Sequence, residues 1–364
     1  MKNGFTGFIY LIAIWLLGWV MHPNKYNLNW ISFLSIPLLF LISWVILINL
    51  HELAHAAAGI MVKIKVKEIH MILITIKKDD GRWGIHFNNP LNTKHTGFIG
   101  AVLIQCDAIS NEIDFLKFTK KMNVVSLSGP VFSYIMTLIL LIAQIHYGNF
   151  ALKVLLVVSI IVSFLGSMGD VSKNYQFSKN ISYASFLFLA TDILSGSYFV
   201  SEAREYLEKQ MKQDIEKLWQ SDLPVSHFNY ELSNFMMLLF LSLATDKSKI
   251  DEDEFYAVLG KLKNPDVLTT NATPSSKLTF TTQLYIYSIL YLELILNKGE
   301  EAKSLLAYAE RNNIVRKSSS IDQLLLDKFI GKKAINEKRF RDLQSKSVGS
   351  YQELYRSIWN KQTV

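Results

Sequence analysis

His51, Glu52 and His55 fall within five residues, in the stretch INLHELAHAAAG. Positions i and i+4 share one face of a helix, so a helix here aims both imidazoles at one point. Neutral imidazole nitrogen is a zinc ligand at about 2.0–2.1 Å. Glu52 follows His51 by one residue, about 100° round the helix. Its carboxylate therefore stands beside a metal rather than on it, where it can take a proton from an activated water. That is the chemistry of H-E-x-x-H on a helix. The triplet directly follows Leu28–Leu50, a run without a charged side chain. Ionisable groups at membrane depth cost about 2.5–3.5 kcal/mol each and mark function when they occur there. The plain alternative is a set of satisfied histidines at a helix end near the lipid interface.

Two imidazoles leave a catalytic zinc short of its usual three protein ligands. His70 and His146 are weak candidates, lying in or beside polar segments. Two aspartates fit better. Asp170 ends FLGSMGD, where Gly166 and Gly169 permit an irregular backbone that turns a carboxylate inward. Asp192 sits inside the apolar stretch FLATDILSG. An interrupted helix is the better ligand platform, so Asp170 is preferred and Asp192 is the alternative.

The elements that must carry these residues read as membrane spans. Crossing the hydrocarbon core takes roughly 20 apolar residues. Phe5–Met21, Leu28–Leu50, Met122–Ile145, Val154–Gly169 and Ile181–Val200 are the candidates. No small-x-small site follows the first, so it reads as an uncleaved span rather than a signal peptide. Between the second and third lies a polar, β-rich insertion, about 63–121. Lys63–Lys77 is rich in β-branched residues, Asp79-Asp80-Gly81 is a turn signal, and Arg82–Phe87 reads as a return strand. A β-hairpin is expected there.

After Val200 the chain becomes charged and helical in pattern, with helices expected over Ser201–Trp219, Glu231–Ala244, Glu254–Leu262 and Gln283–Leu296, and a linker over Leu268–Lys277. The segment NFMMLLFLSLA is too short to span and reads as a buried core helix. The fold class expected is mainly α: a polytopic membrane helix bundle with a small β-hairpin insertion and a C-terminal soluble helical domain. The division is 1–200 for the membrane part and 201–364 for the soluble, somewhat repeat-like part.

The net charge is +7, but no compact basic patch interleaves with aromatics, so nucleic acid is excluded as a partner. The single cysteine, Cys106, excludes an internal disulfide. Basic residues crowd the insertion and recur at Arg204, Lys209 and Lys212. Five crossings would put these two groups on opposite faces, against the positive-inside rule. The simplest remedy is that Ile181–Val200 or Phe5–Met21 does not cross fully.

Across roughly Leu28–Val200 the sequence resembles the site-2 protease family of intramembrane zinc metalloproteases. The resemblance rests on HELAH at a span end, the small residues up to Gly59, the strand-rich segment that follows, LSGPVFSYIMTLIL, and a carboxylate after the next span. It implies that His51 and His55 bind Zn2+, that Glu52 is the catalytic base and that Asp170 is the third ligand. Two details differ from the family's pattern: Val171, not glycine, follows Asp170, and Ser133 stands where asparagine is frequent. The divergent pattern with a helical tail is most similar to bacterial peptide zinc metalloproteases that serve the production or export of small modified peptides.

The expected activity is hydrolysis of a peptide bond in a membrane-associated protein or small peptide precursor, in a multi-pass protein of the cell membrane. A helical substrate must unwind first, and the hairpin at 63–87 could hold it as an added strand. The lipid bilayer and a protein docked on the C-terminal helices are the other expected partners. The alternative is a non-catalytic zinc-binding membrane protein acting in peptide binding, export or immunity. As an exporter it would need a partner ATPase, since no Gly-rich nucleotide loop is present.

Overall fold

The computed structural model describes residues 30–79, 82–87, 100–221, 223, 227–245, 249–263, 274–315, 320–331, 337–347 and 350–361. The candidate span Phe5–Met21 lies outside them. The protein is mainly α and, among the described residues, has one four-stranded sheet; it folds as two compact units. The first contains the described residues up to Ile104 together with Leu116–Lys179; the second contains Gln105–Phe115 and the described residues from Asn180 onward.

Among the described residues, three helices build the first unit: α1 (Trp30–Met61), α2 (Glu112–Tyr147) and α3 (Phe150–Lys179). Each contains a stretch long and apolar enough to cross a membrane: Ser35–Met61, Glu112–Tyr147 and Phe150–Val171. Large apolar side chains such as Leu38, Leu41, Ile135, Leu138 and Ile142 are exposed on them, as lipid-facing positions must be. The faces turned inward repeat every fourth residue. On α1 the row is Leu47, His51, His55, Gly59; on α3 it is Val154, Val158, Val162, Gly166, Asp170; on α2 it is Val125, Gly129, Ser133, Thr137. Rows at i+4 are the ridges by which helices interlock. Leu47 packs with Val154, Val157, Val158 and Val162 in one buried cluster, which sets α1 against α3 one turn before His51.

α1 ends in a Schellman motif: Lys63 takes a left-handed conformation (φ 62°), Lys63 N–H donates to Ile60 O and Ile64 N–H to Gly59 O. The chain then enters the sheet at once. The strands are β1 (Lys65–His70), β2 (Ile74–Asp79), β3 (Arg82–Phe87) and β4 (Ala101–Gln105), in the spatial order β3-β2-β1-β4. The sequence suggested one strand over Lys63–Lys77. It is two strands instead, folded back at Met71-Ile72-Leu73 so that Ile69 opposes Ile76. Met71 N–H donates to Ile74 O, and Asn49 of α1 accepts from Ile72 N–H, holding the bend. β2 and β3 form the expected hairpin, with Asp79 opposite Arg82.

Two further expectations are corrected. α3 runs unbroken through Gly166 and Gly169, so Asp170 stands on a regular helix and not on an interrupted one. Ile181–Val200 is not a span: α4 (Ile181–Leu194) is 14 residues long and ends in a short 3-10 turn. Its Phe188, Leu189 and Ile193 are fully buried within the second unit, which explains the apolar run without a membrane.

The rest of the second unit is helical: α5 (Arg204–Gln220), α6 (Asn229–Ala244), α7 (Glu252–Leu262), α8 (Pro274–Leu294), α9 (Gly299–Arg311), α10 (Ile321–Phe329), α11 (Glu337–Gln344) and α12 (Tyr351–Asn360). α6 is the core helix that NFMMLLFLSLA suggested, with Phe235, Leu238, Leu239, Leu241 and Leu243 buried. α8 starts at Pro274, inside the expected linker; proline suits the first turn, where its missing N–H breaks no helical bond. Asn234 ties three helices, donating to Asp214 on α5 (2.7 Å) and to Ser182 O on α4 (3.2 Å).

Candidate metal centre

The three inward rows of the first unit converge on the histidine pair. His51 and His55 are buried, at 6% and 8% exposure. His55 Nδ1 donates to the Val125 carbonyl over 2.6 Å. A carbonyl only accepts, so a proton sits on Nδ1, and in the neutral ring Nε2 then carries a lone pair. His51 Nδ1 lies 2.8 Å from Ser133 Oγ, which lets His51 take the same tautomer. Both Nε2 atoms then face Asp170 Oδ2, at 3.1 Å from His51 and 3.3 Å from His55, and lie 3.1 Å from each other.

With both Nε2 atoms unprotonated, these three donors form a set that a cation would satisfy. Tetrahedral bonds of about 2.0–2.1 Å put ligand atoms roughly 3.3 Å apart, and this triangle matches. Among the described residues, His51, His55 and Asp170 form the group able to hold a metal ion. The donor set, two nitrogens and one oxygen, suits zinc.

Glycines from two helices press against these rings. A Cβ on Gly129 would stand 2.3 Å from His55 Nε2 and 2.6 Å from His51 Nε2; one on Gly166 would stand 2.8 Å from His51 Cε1. Any side chain at either position would occupy ligand space. Thus Gly166 serves close approach rather than the backbone break read into it. Glu52 stands off the ligand row by its offset of about 100°, and its carboxylate lies against Gly100 just ahead of β4. Ser126 Oγ donates to the Asp170 carbonyl, and Thr137 Oγ1 lies 2.7 Å and 2.9 Å from the hydroxyls of Ser159 and Ser163, so α2 and α3 are fastened on both sides of the centre.

The other candidates stand elsewhere. Asp192 is fully buried on α4, in the second unit, and is not in the ligand group. His70 is engaged with Glu68 (2.9 Å) and Thr75 (3.0 Å) on the sheet, and His146 stacks edge-on with Tyr147. From sequence, Gly166 was named only as a backbone break and Ser133 only as a departure from the family's pattern; the close approach of Gly129, Gly166 and Gly100 and the Ser133 contact were not foreseen. Gly129, Ser133 and Gly166 share the i+4 phase of the inward rows, a signal that was there to read.

Apolar spans around a buried two-histidine, one-carboxylate group, with a glutamate next to the first histidine, define a membrane metalloprotease. The family model of peptidase family M50 matches residues 39–316, and the chain belongs to that family, the site-2 proteases. No curated protein and no solved structure matches it.

Proposed function

We propose that the protein is a zinc metalloendopeptidase of the cell membrane that cuts a membrane-associated protein or small peptide precursor, in the production or export of a modified peptide. The observation that carries this reading is the triangle of His51 Nε2, His55 Nε2 and Asp170 Oδ2. These residues hold the ion, and Val125 O and Ser133 orient the two rings. Bound there, zinc supplies Lewis acidity that makes water nucleophilic near neutral pH. Glu52 accepts the proton of the attacking water on its carboxylate and delivers it to the leaving amine nitrogen.

A substrate helix hides its carbonyls in its own hydrogen bonds and must be held extended. The expected place was the hairpin, whose outer edge is β3. The opposite edge is favoured here, because the residue before β4 meets Glu52. Pairing along β4 brings a substrate backbone beside the base. The C-terminal helices offer a surface for a protein partner.

The test uses purified protein in proteoliposomes with a fluorogenic single-span peptide. Glu52→Gln should keep its zinc and lose about 10²–10⁴-fold in kcat. If Glu52→Gln stays fully active while His51→Ala is dead, the metal is structural and the proposal fails.

A further inference from the structure

Gly100 stands 48 positions beyond Glu52 in sequence, at the entrance to β4, and has no place in the H-E-x-x-H motif. Its backbone lies along the whole carboxyl end of Glu52. A Cβ built on Gly100 would stand 2.5 Å from Glu52 Cγ, 2.8 Å from Cδ and 2.9 Å from Oε1. Real Cβ contacts essentially never fall below 3.0 Å. The backbone itself makes no demand for glycine here. Among the described residues the glycines with positive φ are Gly148 and Gly196, so alanine could adopt the conformation of residue 100. What excludes a side chain is the glutamate.

We infer that Gly100 is a positioning residue for Glu52: the volume its missing side chain leaves is the volume the carboxylate fills, and the start of β4 thereby fixes where the base stands. The inference rests on Glu52 being the base. It separates Gly100 from the other two glycines of the centre. Gly129 and Gly166 press on rings already pinned through Nδ1, so a methyl group there has nothing soft to push and must disturb the ligands. Gly100 presses on the carboxyl end of Glu52, which rotatable bonds join to the helix. A methyl group there swings the carboxylate aside and leaves the strand and the ligand triangle in place. The same contact makes β4 both the neighbour of the base and the edge proposed to hold substrate, so a peptide laid along it is registered against Glu52 directly.

The experiment compares the parent with Gly100→Ala, Gly129→Ala, Glu52→Gln, Glu52→Asp and the double variant Gly100→Ala/Glu52→Asp, all as the full chain in proteoliposomes. Zinc content, the visible spectrum of the cobalt-substituted protein, the thermal midpoint, and kcat and KM on a fluorogenic single-span peptide are read for each. Gly100→Ala should keep the zinc, the cobalt spectrum and the thermal midpoint and lose about 10- to 100-fold in kcat at unchanged KM, since a displacement of about 1 Å can cost 10²-fold. Gly129→Ala should lose the metal. In the Glu52→Asp background, where the shorter side chain vacates the contact, Gly100→Ala should change kcat by less than about twofold. Unchanged kcat in Gly100→Ala, or loss of its zinc, or an undiminished effect in the Glu52→Asp background overturns the inference while leaving Glu52 as base. Full activity of Glu52→Gln overturns both together.

Discussion

Ser133 Oγ lies 2.8 Å from His51 Nδ1, on the side of the ring away from Asp170. Second partners of this kind hold the tautomer and the ring plane of a metal ligand, and their loss typically costs 10- to 100-fold in affinity. Ser133→Ala should fold, bind zinc about 10- to 100-fold more weakly in competition with a chelator, and recover activity when zinc is added in excess. Unaltered affinity would reduce the contact to packing.

The two aspartates separate cleanly. Asp170→Asn should reduce zinc to a small fraction of the parent's, while its thermal midpoint measured without metal stays near the parent's. Asp192→Asn, deep in α4, should keep full zinc occupancy. Metal analysis by mass spectrometry decides, and zinc lost from Asp192→Asn but kept by Asp170→Asn would overturn the assignment.

Thr137 Oγ1 receives the hydroxyls of both Ser159 and Ser163 and donates to Ser133 O, fastening α2 to α3 one turn from the centre. Hydrogen bonds between membrane helices contribute about 0.6–2 kcal/mol each. Thr137→Val should therefore lower the stability of the first unit by about 1–2 kcal/mol, and Ser159→Ala, which leaves the Ser163 contact intact, by less. Steric-trapping measurements in bicelles would show it.

In the second unit Asp322 is buried and accepts from Tyr287 (2.8 Å), Tyr355 (3.0 Å) and Gln283 (3.2 Å). Burial raises its carboxyl above the usual range, and the three donors offset part of that rise. A folded pKa above the unfolded one means a contribution to stability that is whole below about pH 3.9 and is lost as pH rises through the folded value. Replacement by asparagine should flatten that part of the curve, so the stability difference between parent and Asp322→Asn, from thermal melts at stepped pH, should shift in the variant's favour from pH 4 towards pH 7. A difference independent of pH would contradict it.

The placement of His51 and His55 on one helical face, with Glu52 off it, was legible because one helix carries all three and spacing alone sets their phase. The spans on α2 and α3 were legible from uninterrupted apolar runs, and α6 from a run too short to cross. The errors share a cause. A run such as Ile181–Val200 looks alike whether lipid or protein surrounds it, and here the other helices of the second unit do. Local pattern could not reveal the fold-back at Met71-Ile72-Leu73, since both arms are β-branched and only pairing tells one strand from two. The glycines at Gly166 and Gly169 were read as breaks because glycine weakens helices; at Gly166 the dominant effect is the imidazole of His51, which needs the room. Gly100 was illegible for a different reason. Its partner is tertiary, and no periodicity links a residue before a strand to a glutamate on a distant helix.

The donor atoms of His51 and Asp170 belong to residues 119 apart in the chain. At about 5–20 residues per second, a ribosome takes roughly 6–24 s to go from one to the other. Throughout that interval the nascent polypeptide presents two imidazoles and a glutamate but lacks the carboxylate that closes the triangle. The group that could hold a metal ion is thus complete only once the chain has reached the end of Phe150–Val171, the third membrane-long apolar stretch among the described residues.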